Sequence, residues 1–158
     1  MIQRIQSLLL FKIFAFVTFS FALPLLELKH LEETFLMYAY HTYNIKDVQN
    51  VISNNIGIGV MQILISSLAL ITIFFFKKRQ LQIKLCKLNL LLVTIQIVAI
   101  VMYLDVIKET ISPTNTLEVF LSLKIGIILP LLSIILLYLA IFFIKKDEEL
   151  VRSADRLR

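Results

Sequence analysis

Residues 56–79 read IGIGVMQILISSLALITIFFFKKR. Twenty-one residues pass without a charge before three cations arrive in a row. At 1.5 Å per residue, a helix needs about 20 apolar residues to cross a hydrocarbon core ~30 Å thick. Three further runs have the same character, at 8–26, 88–104 and 125–144. Each Leu, Ile or Phe at mid-bilayer favours insertion by roughly 0.3–0.6 kcal/mol. Backbone groups in lipid must find partners within their own segment, which selects helices. Barrel strands would alternate over about 10 residues, and these runs are continuous. The expected fold is an all-α membrane protein, an antiparallel bundle of four transmembrane helices. It forms a single integral membrane domain over 1–158, with a cytoplasmic helical tail at 145–158.

Composition excludes other classes. The chain is 59% hydrophobic and only 17% charged, against about 25% charged in a soluble domain. A net charge of +5 could suggest nucleic acid, but the cations flank apolar runs and form no stripe with interleaved aromatics. The single cysteine, Cys86, cannot make an internal disulfide. Its lysine-rich neighbourhood would lower a thiol pKa and makes it a conceivable acylation site, with an inert thiol the plainer reading. The only glycines are Gly57, Gly59 and Gly126, so a Gly-rich phosphate loop is absent. A G-x-S-x-G elbow and an H-E-x-x-H pair are absent too.

Charge sets the orientation. Twelve lysines and arginines fall in the N-terminal segment, the 77–87 loop KKRQLQIKLCK and the tail, against four in the other two loops. The positive-inside rule then places both termini in the cytoplasm. Arg4, Lys12, Lys77, Lys78, Arg79, Lys145 and Lys146 are the expected membrane-interface anchors. Lys12 lies inside the first run, but close enough to its start to snorkel to the surface. Ser20-Phe21-Ala22 resembles a signal-peptide cleavage site; Lys12 and Pro24 argue against cleavage.

Helices in lipid associate through small and polar residues. At 100° per residue, one such face gathers Ser7, Ala15, Thr18 and Ala22 in the first run. Gly59, Gln62, Ser66 and Ala69 share a face in the second, and Asn89, Val93, Gln96 and Ala99 in the third. Ser122, Gly126, Pro130, Ser133 and Ala140 do so in the fourth. The expected packing residues are therefore Gly59, Gln62, Ser66, Asn89, Gln96, Gly126, Pro130 and Ser133. The alternative is that the same stripe lines a path for a small solute.

The loop 27–55 is long for a connection. Its segment TFLMYAYHTYNI reads as a short strand or hairpin over the bundle mouth, with Asp47 as a helix cap. Glu27 and His30, in E-x-x-H spacing, would share a helical face. A metal site would also need the second Glu-x-x-His of a di-metal bundle, so no metal, cofactor or catalytic residue is assigned. In the second outer loop, Ser112-Pro113 reads as a turn and Thr116 as a cap.

The chain ends KKDEELVRSADRLR. Leu150, Val151, Ala154 and Leu157 form one apolar helical stripe, and Glu148 with Arg152 an i,i+4 pair. Residues 150–152 with Ala154, Asp155, Arg156 and Leu157 are the expected partner interface. This tail and the start MIQRIQ resemble a family of small bacterial four-span membrane proteins known as domain of unknown function 4293. KKRQLQIKLCKLN, the Gly126…Pro130 pattern and Leu139-Ala140 before IKKDE carry the same likeness. Ile141-Phe142-Phe143 departs from it where more polar residues, including an arginine, are expected. The resemblance implies four-span topology and an inner-membrane address, and it implies no activity. The expected function is a non-enzymatic accessory subunit of the bacterial inner membrane. Its partners are the lipid bilayer and a membrane-protein complex, without nucleic acid, and with homo-oligomerisation left open. A transporter or channel subunit is the alternative.

Overall fold

The computed structural model describes residues 2–31, 33–76, 78–112 and 119–156. The order is α1 (Ile2–Ala22), β1 (Leu26–His30), β2 (Glu33–Met37), β3 (His41–Asn44), β4 (Asp47–Asn54), α2 (Ile56–Phe74), α3 (Arg79–Ile111), β5 (Phe120–Leu123) and α4 (Ile125–Arg156). Among the described residues, four helices are long and apolar enough to cross a membrane. α1 packs against α2 and α4, and α3 packs against the same two.

The chain is mostly helical, but it is not all-α. One antiparallel sheet runs β4-β3-β2-β1-β5. The hairpin read from TFLMYAYHTYNI corresponds to β2 and β3, yet it is only the middle of the sheet. β1 and β5 are short, and each adjoins an apolar helix, so hydropathy merges them with their neighbours. Leu26 belongs to the first apolar run by composition and to β1 by structure, pairing Met37 on one side and Leu123 on the other. The helix itself ends at Ala22, two residues before Pro24, as expected where a proline restricts the residue before it. Asp47, read as a helix cap, instead opens β4. Asn55 precedes α2, and its amide donates to Thr42 Oγ1 (2.7 Å) and to the Tyr38 carbonyl (3.1 Å), locking the end of β4 onto β3.

Two apolar clusters hold the fold together. One lies among the helices and includes Leu10, Ile13, Val17, Ile65, Val93, Leu137 and Ile144. The other joins the sheet to the helix ends through Leu25, Leu28, Met37, Ile58, Ile100 and Ile107. β1 is buried at Leu26, Glu27 and Leu28, whereas edge strand β5 is exposed throughout. The β1–β2 turn carries Leu31 at φ 54°, 85% exposed. A left-handed conformation is costly for a residue with a Cβ.

α3 and α4 outrun their apolar cores. α3 begins at Arg79, nine residues before the run at 88, and continues to Ile111. α4 passes through Lys145-Lys146 without a break and ends at Arg156. Thus, among the described residues, the tail is the last part of α4, and no separate element follows the fourth apolar run. Thr116 and Glu118 of the second loop, with Glu32, Lys77 and Leu157, lie outside the described residues.

Candidate functional site

Pro130 explains the best-defined polar contact between helices. Proline has no N–H to give the carbonyl four residues earlier, which here belongs to Gly126. That carbonyl instead accepts the hydroxyl of Ser20 from α1 at 2.5 Å. The Ser20 oxygen in turn accepts Nε2 of Gln62 from α2 at 2.8 Å. One relay thus joins α2, α1 and α4, all of it buried. Gly126 is required beside it. A Cβ there would sit 2.8 Å from the Pro24 carbonyl carbon and closer still to its oxygen.

Further carboxamides repeat the theme at other heights. Asn89 donates to the Ile65 carbonyl (3.4 Å), Gln82 to the Thr72 carbonyl (3.4 Å) and Gln6 to the Phe143 carbonyl (3.1 Å). Gln96 is fully buried, and neither its nitrogen nor its oxygen has a hydrogen-bond partner. The side-chain oxygens of Gln62, Gln82 and Asn89 also lack donors. Gln62, Gln82 and Asn89 each direct an amide N–H to a backbone or hydroxyl oxygen while their own side-chain oxygens receive no donor.

Of the packing residues expected from the sequence, Gly59, Gln62, Asn89, Gln96, Gly126, Pro130 and Ser133 are all buried. Ser66 is only partly so, and its hydroxyl turns back to the Ile63 carbonyl. The face assigned to α1 is the wrong one. Thr18 and Ala22 are exposed, while Gln6, Leu10, Ile13, Val17 and Ser20 point inward. Small residues on α1 misled the helical plot. The usable signal was Pro130 four residues after Gly126, which announces a free carbonyl in need of a hydroxyl.

At the end of the helices away from the sheet, Arg79 bridges α3 to α4. Its Nη2 lies 3.1 Å from Asp147 Oδ2, and Nη1 donates to the Asp147 carbonyl at 3.3 Å. Gln80 donates to Glu148 Oε1 at 3.2 Å. Arg79, expected to anchor at the lipid surface, is thus a clamp on the base of the C-terminal extension. Lys12, Lys78, Lys145 and Lys146 are exposed. Beyond the clamp, Leu150 is 51% and Val151 42% exposed. The side chains of Arg4, Arg152, Ala154, Asp155 and Arg156 lie outside the described part of the structure.

At the sheet end, Glu27 on β1 pairs with Lys124 and with Lys29 (3.3 Å). The hydrogen bond from Lys124, followed in the same direction by that from Lys29, outweighs burial and holds the Glu27 carboxyl below its ordinary pKa. Glu27 and His30 sit on a strand, so three-residue spacing puts them on opposite faces. The shared helical face expected of them does not exist. Tyr38 stacks on Tyr43 at 5.4 Å and touches Tyr40 at 5.8 Å. The hydrogen bond with Tyr43, and then burial, push the Tyr38 phenol up to about 12. Cys86 is 1% exposed within the helical core, a poor position for the acylation its sequence context suggested.

The buried interhelical carboxamides are uncharged, and the Glu27 carboxylate, which faces two lysines, lies on the sheet. A family profile described as domain of unknown function (DUF4293) matches residues 2–157. No curated protein matches this chain.

Proposed function

We propose, from the premise that this chain belongs to the DUF4293 family, that it is a non-enzymatic accessory subunit of the bacterial inner membrane. In this reading the four apolar helices form an antiparallel bundle that crosses the bilayer, with both termini cytoplasmic and the sheet outside. The basic residues support that orientation. Lys78, Lys84, Lys87, Lys145 and Lys146 lie at the end of the helices opposite the sheet, where anionic lipid attracts each by about 1 kcal/mol, and Arg79 lies beside them, held by Asp147.

The observation that carries the docking role is the C-terminal part of α4. It extends as helix to Arg156, is braced at its base by Arg79 and Asp147, and presents Leu150 and Val151 uncovered beyond the brace. A helix of about 12–15 residues is marginal in water alone. Continuity with α4 removes the nucleation cost and holds the apolar stripe ready for a partner. Edge strand β5, with Phe120, Leu121 and Leu123 exposed, offers a second surface on the opposite side.

The test is co-purification from native membranes in mild detergent. A chain ending at Asp147 keeps the brace and loses the extension. The proposal expects a specific membrane complex to be retained by the full chain and lost with the truncation and with Leu150→Lys/Val151→Lys. Equal recovery in all three would count against it. The second reading, a small-solute path, draws on the unpartnered carboxamides Gln62, Asn89 and Gln96. Solute flux through reconstituted vesicles that Gln96→Leu abolishes would favour it over the docking role.

A further inference from the structure

Lys12 stands at the centre of α1, with ten helical residues on either side between Ile2 and Ala22. The register of α1 on α4 fixes its depth. Gln6 Nε2 donates to the Phe143 carbonyl, and Lys145 follows Phe143 by two residues. Lys12 lies six residues beyond Gln6, so at 1.5 Å per residue it sits about 12 Å below the level of Lys145. A four-carbon stem does not span that distance, and the snorkelling expected from the sequence falls short.

A cation at this depth in an apolar helix is expensive and ordinarily faces a counter-charge. This chain has none to give. None of its eleven Asp and Glu residues falls within 2–26, 56–104 or 119–146. Among the described residues, no ion pair engages Lys12.

The surface around Lys12 has the form of a helix seam. Ile5, Leu8, Lys12, Ala15 and Phe19 follow one another at steps of three, four, three and four residues, the spacing of a face that receives another helix. Ile5 is 46%, Leu8 54% and Phe19 67% exposed, and Lys12 is exposed between them. Ile13 and Val17 turn the other way, into the helical core. Ala15, one turn from Lys12, is small enough to let a second backbone approach.

We propose that this seam docks a transmembrane helix of a partner protein, one that carries an Asp or Glu at mid-membrane depth opposite Lys12. The apolar residues on either side pack against that helix, and its carboxylate supplies the missing counter-charge. A second copy of this chain is a poor occupant, because two-fold pairing of the seam sets Lys12 against Lys12. Acyl chains cover the apolar residues but bring no charge to the lysine. The proposal rests on the accessory-subunit reading and adds a contact within the membrane to that of the tail.

The probe is a synthetic transmembrane peptide of leucine and alanine with one central Asp, set beside peptides with Leu or Lys at that site. The full-length protein carries a donor dye at Ser153→Cys, an exposed position, while Cys86 stays buried. It is reconstituted with acceptor-labelled peptide in phosphatidylcholine vesicles, and energy transfer is followed against the peptide-to-lipid ratio. The Asp peptide should associate roughly five- to thirtyfold more tightly than the Leu peptide, the range of one interhelical polar contact. Lys12→Leu should erase that preference, and Lys12→Glu should transfer it to the Lys peptide. Neither change touches the core, since Lys12 is exposed.

Equal association of the Asp and Leu peptides with the parent overturns the proposal and leaves Lys12 to headgroups drawn inward. An Asp preference that survives Lys12→Leu overturns it too, because the acid then has another site. The reading beneath it fails separately. A chain that does not float with the vesicles contradicts membrane embedding, and with it the seam. A native complex indifferent to loss of the C-terminal extension contradicts the docking role of the tail and leaves the peptide result standing.

Discussion

The two ends of the molecule hold the same four helices by different means. At the sheet end, backbone hydrogen bonds do most of the joining. β1 pairs β5 from Leu26↔Leu123 to Lys29↔Phe120 and so ties the start of α4 to the end of α1. At the other end, long side chains reach between helices, with Arg79 on Asp147, Gln80 on Glu148 and Gln6 on the Phe143 carbonyl. A ladder is a cooperative unit with little tolerance for a misplaced atom. Side-chain braces are separable, and each can be lost without the others. The sheet end should therefore be the rigid end, and the braced end the adjustable one where a partner could act.

Substitutions can break that contrast, and the largest effect is expected at Gly126. Gly126→Val would drive its side chain into the Pro24 backbone, which cannot yield without moving β1. Overpacking against fixed backbone should cost ~3 kcal/mol, read as a lower unfolding midpoint in mild detergent. A midpoint within error of the parent would show that the sheet end gives way more easily than described here.

Arg79→Met should cost about half as much, ~1.5 kcal/mol. The pair is only partly exposed, with side chains at 25% and 15%, so it lies between a surface bridge and a buried one. The sharper readout is local. Hydrogen exchange should rise over the last turns of α4 while β1 and β5 stay protected. Equal loss of protection at both ends would deny that the braces are separable.

Glu27→Gln should cost about 1 kcal/mol at neutral pH, discounted because Lys29 and Lys124 are well exposed. Its pH dependence discriminates further. The folded pKa of Glu27 lies below its ordinary value of 4.5. Its contribution is thus complete above that value and disappears as pH falls through the folded pKa. The parent and Glu27→Gln stabilities should converge in acid. A gap that persists there would assign the effect to packing.

The smallest effect has the opposite sign. Leu31 holds a left-handed backbone at an exposed turn, and Leu31→Gly should raise stability by ~0.5 kcal/mol, the relief of strain less the added chain entropy. A lower midpoint would mean that the leucine makes a contact worth more than its strain.

Much of the helical content was legible because hydropathy over twenty residues is a strong signal, and residues such as Gln62 and Gln96 stand out within it. Hydropathy marks where a helix is greasy, however, and not where it ends. It therefore stopped at 88 and 144 while α3 and α4 ran on through lysines. The sheet was half visible. TFLMYAYHTYNI has strand composition, but LELKH and FLSL are too short to register beside apolar helices, and their pairing joins residues nearly a hundred positions apart. On α1, small residues pointed to Thr18 and Ala22. Ser20 was chosen instead because its hydroxyl answers a carbonyl vacated by Pro130 on another helix. That requirement is tertiary, and no plot of α1 by itself contains it.

The most direct test of the proposed arrangement is sided cysteine labelling in right-side-out and inverted membrane vesicles, with buried Cys86 as the internal control. Ile45→Cys marks an exposed turn of the sheet, and Ser153→Cys an exposed position on the C-terminal extension. A membrane-impermeant maleimide should modify the first only in right-side-out vesicles and the second only in inverted ones. Modification of both from the same side, or in the reverse pattern, would contradict a four-span protein with its basic end in the cytoplasm.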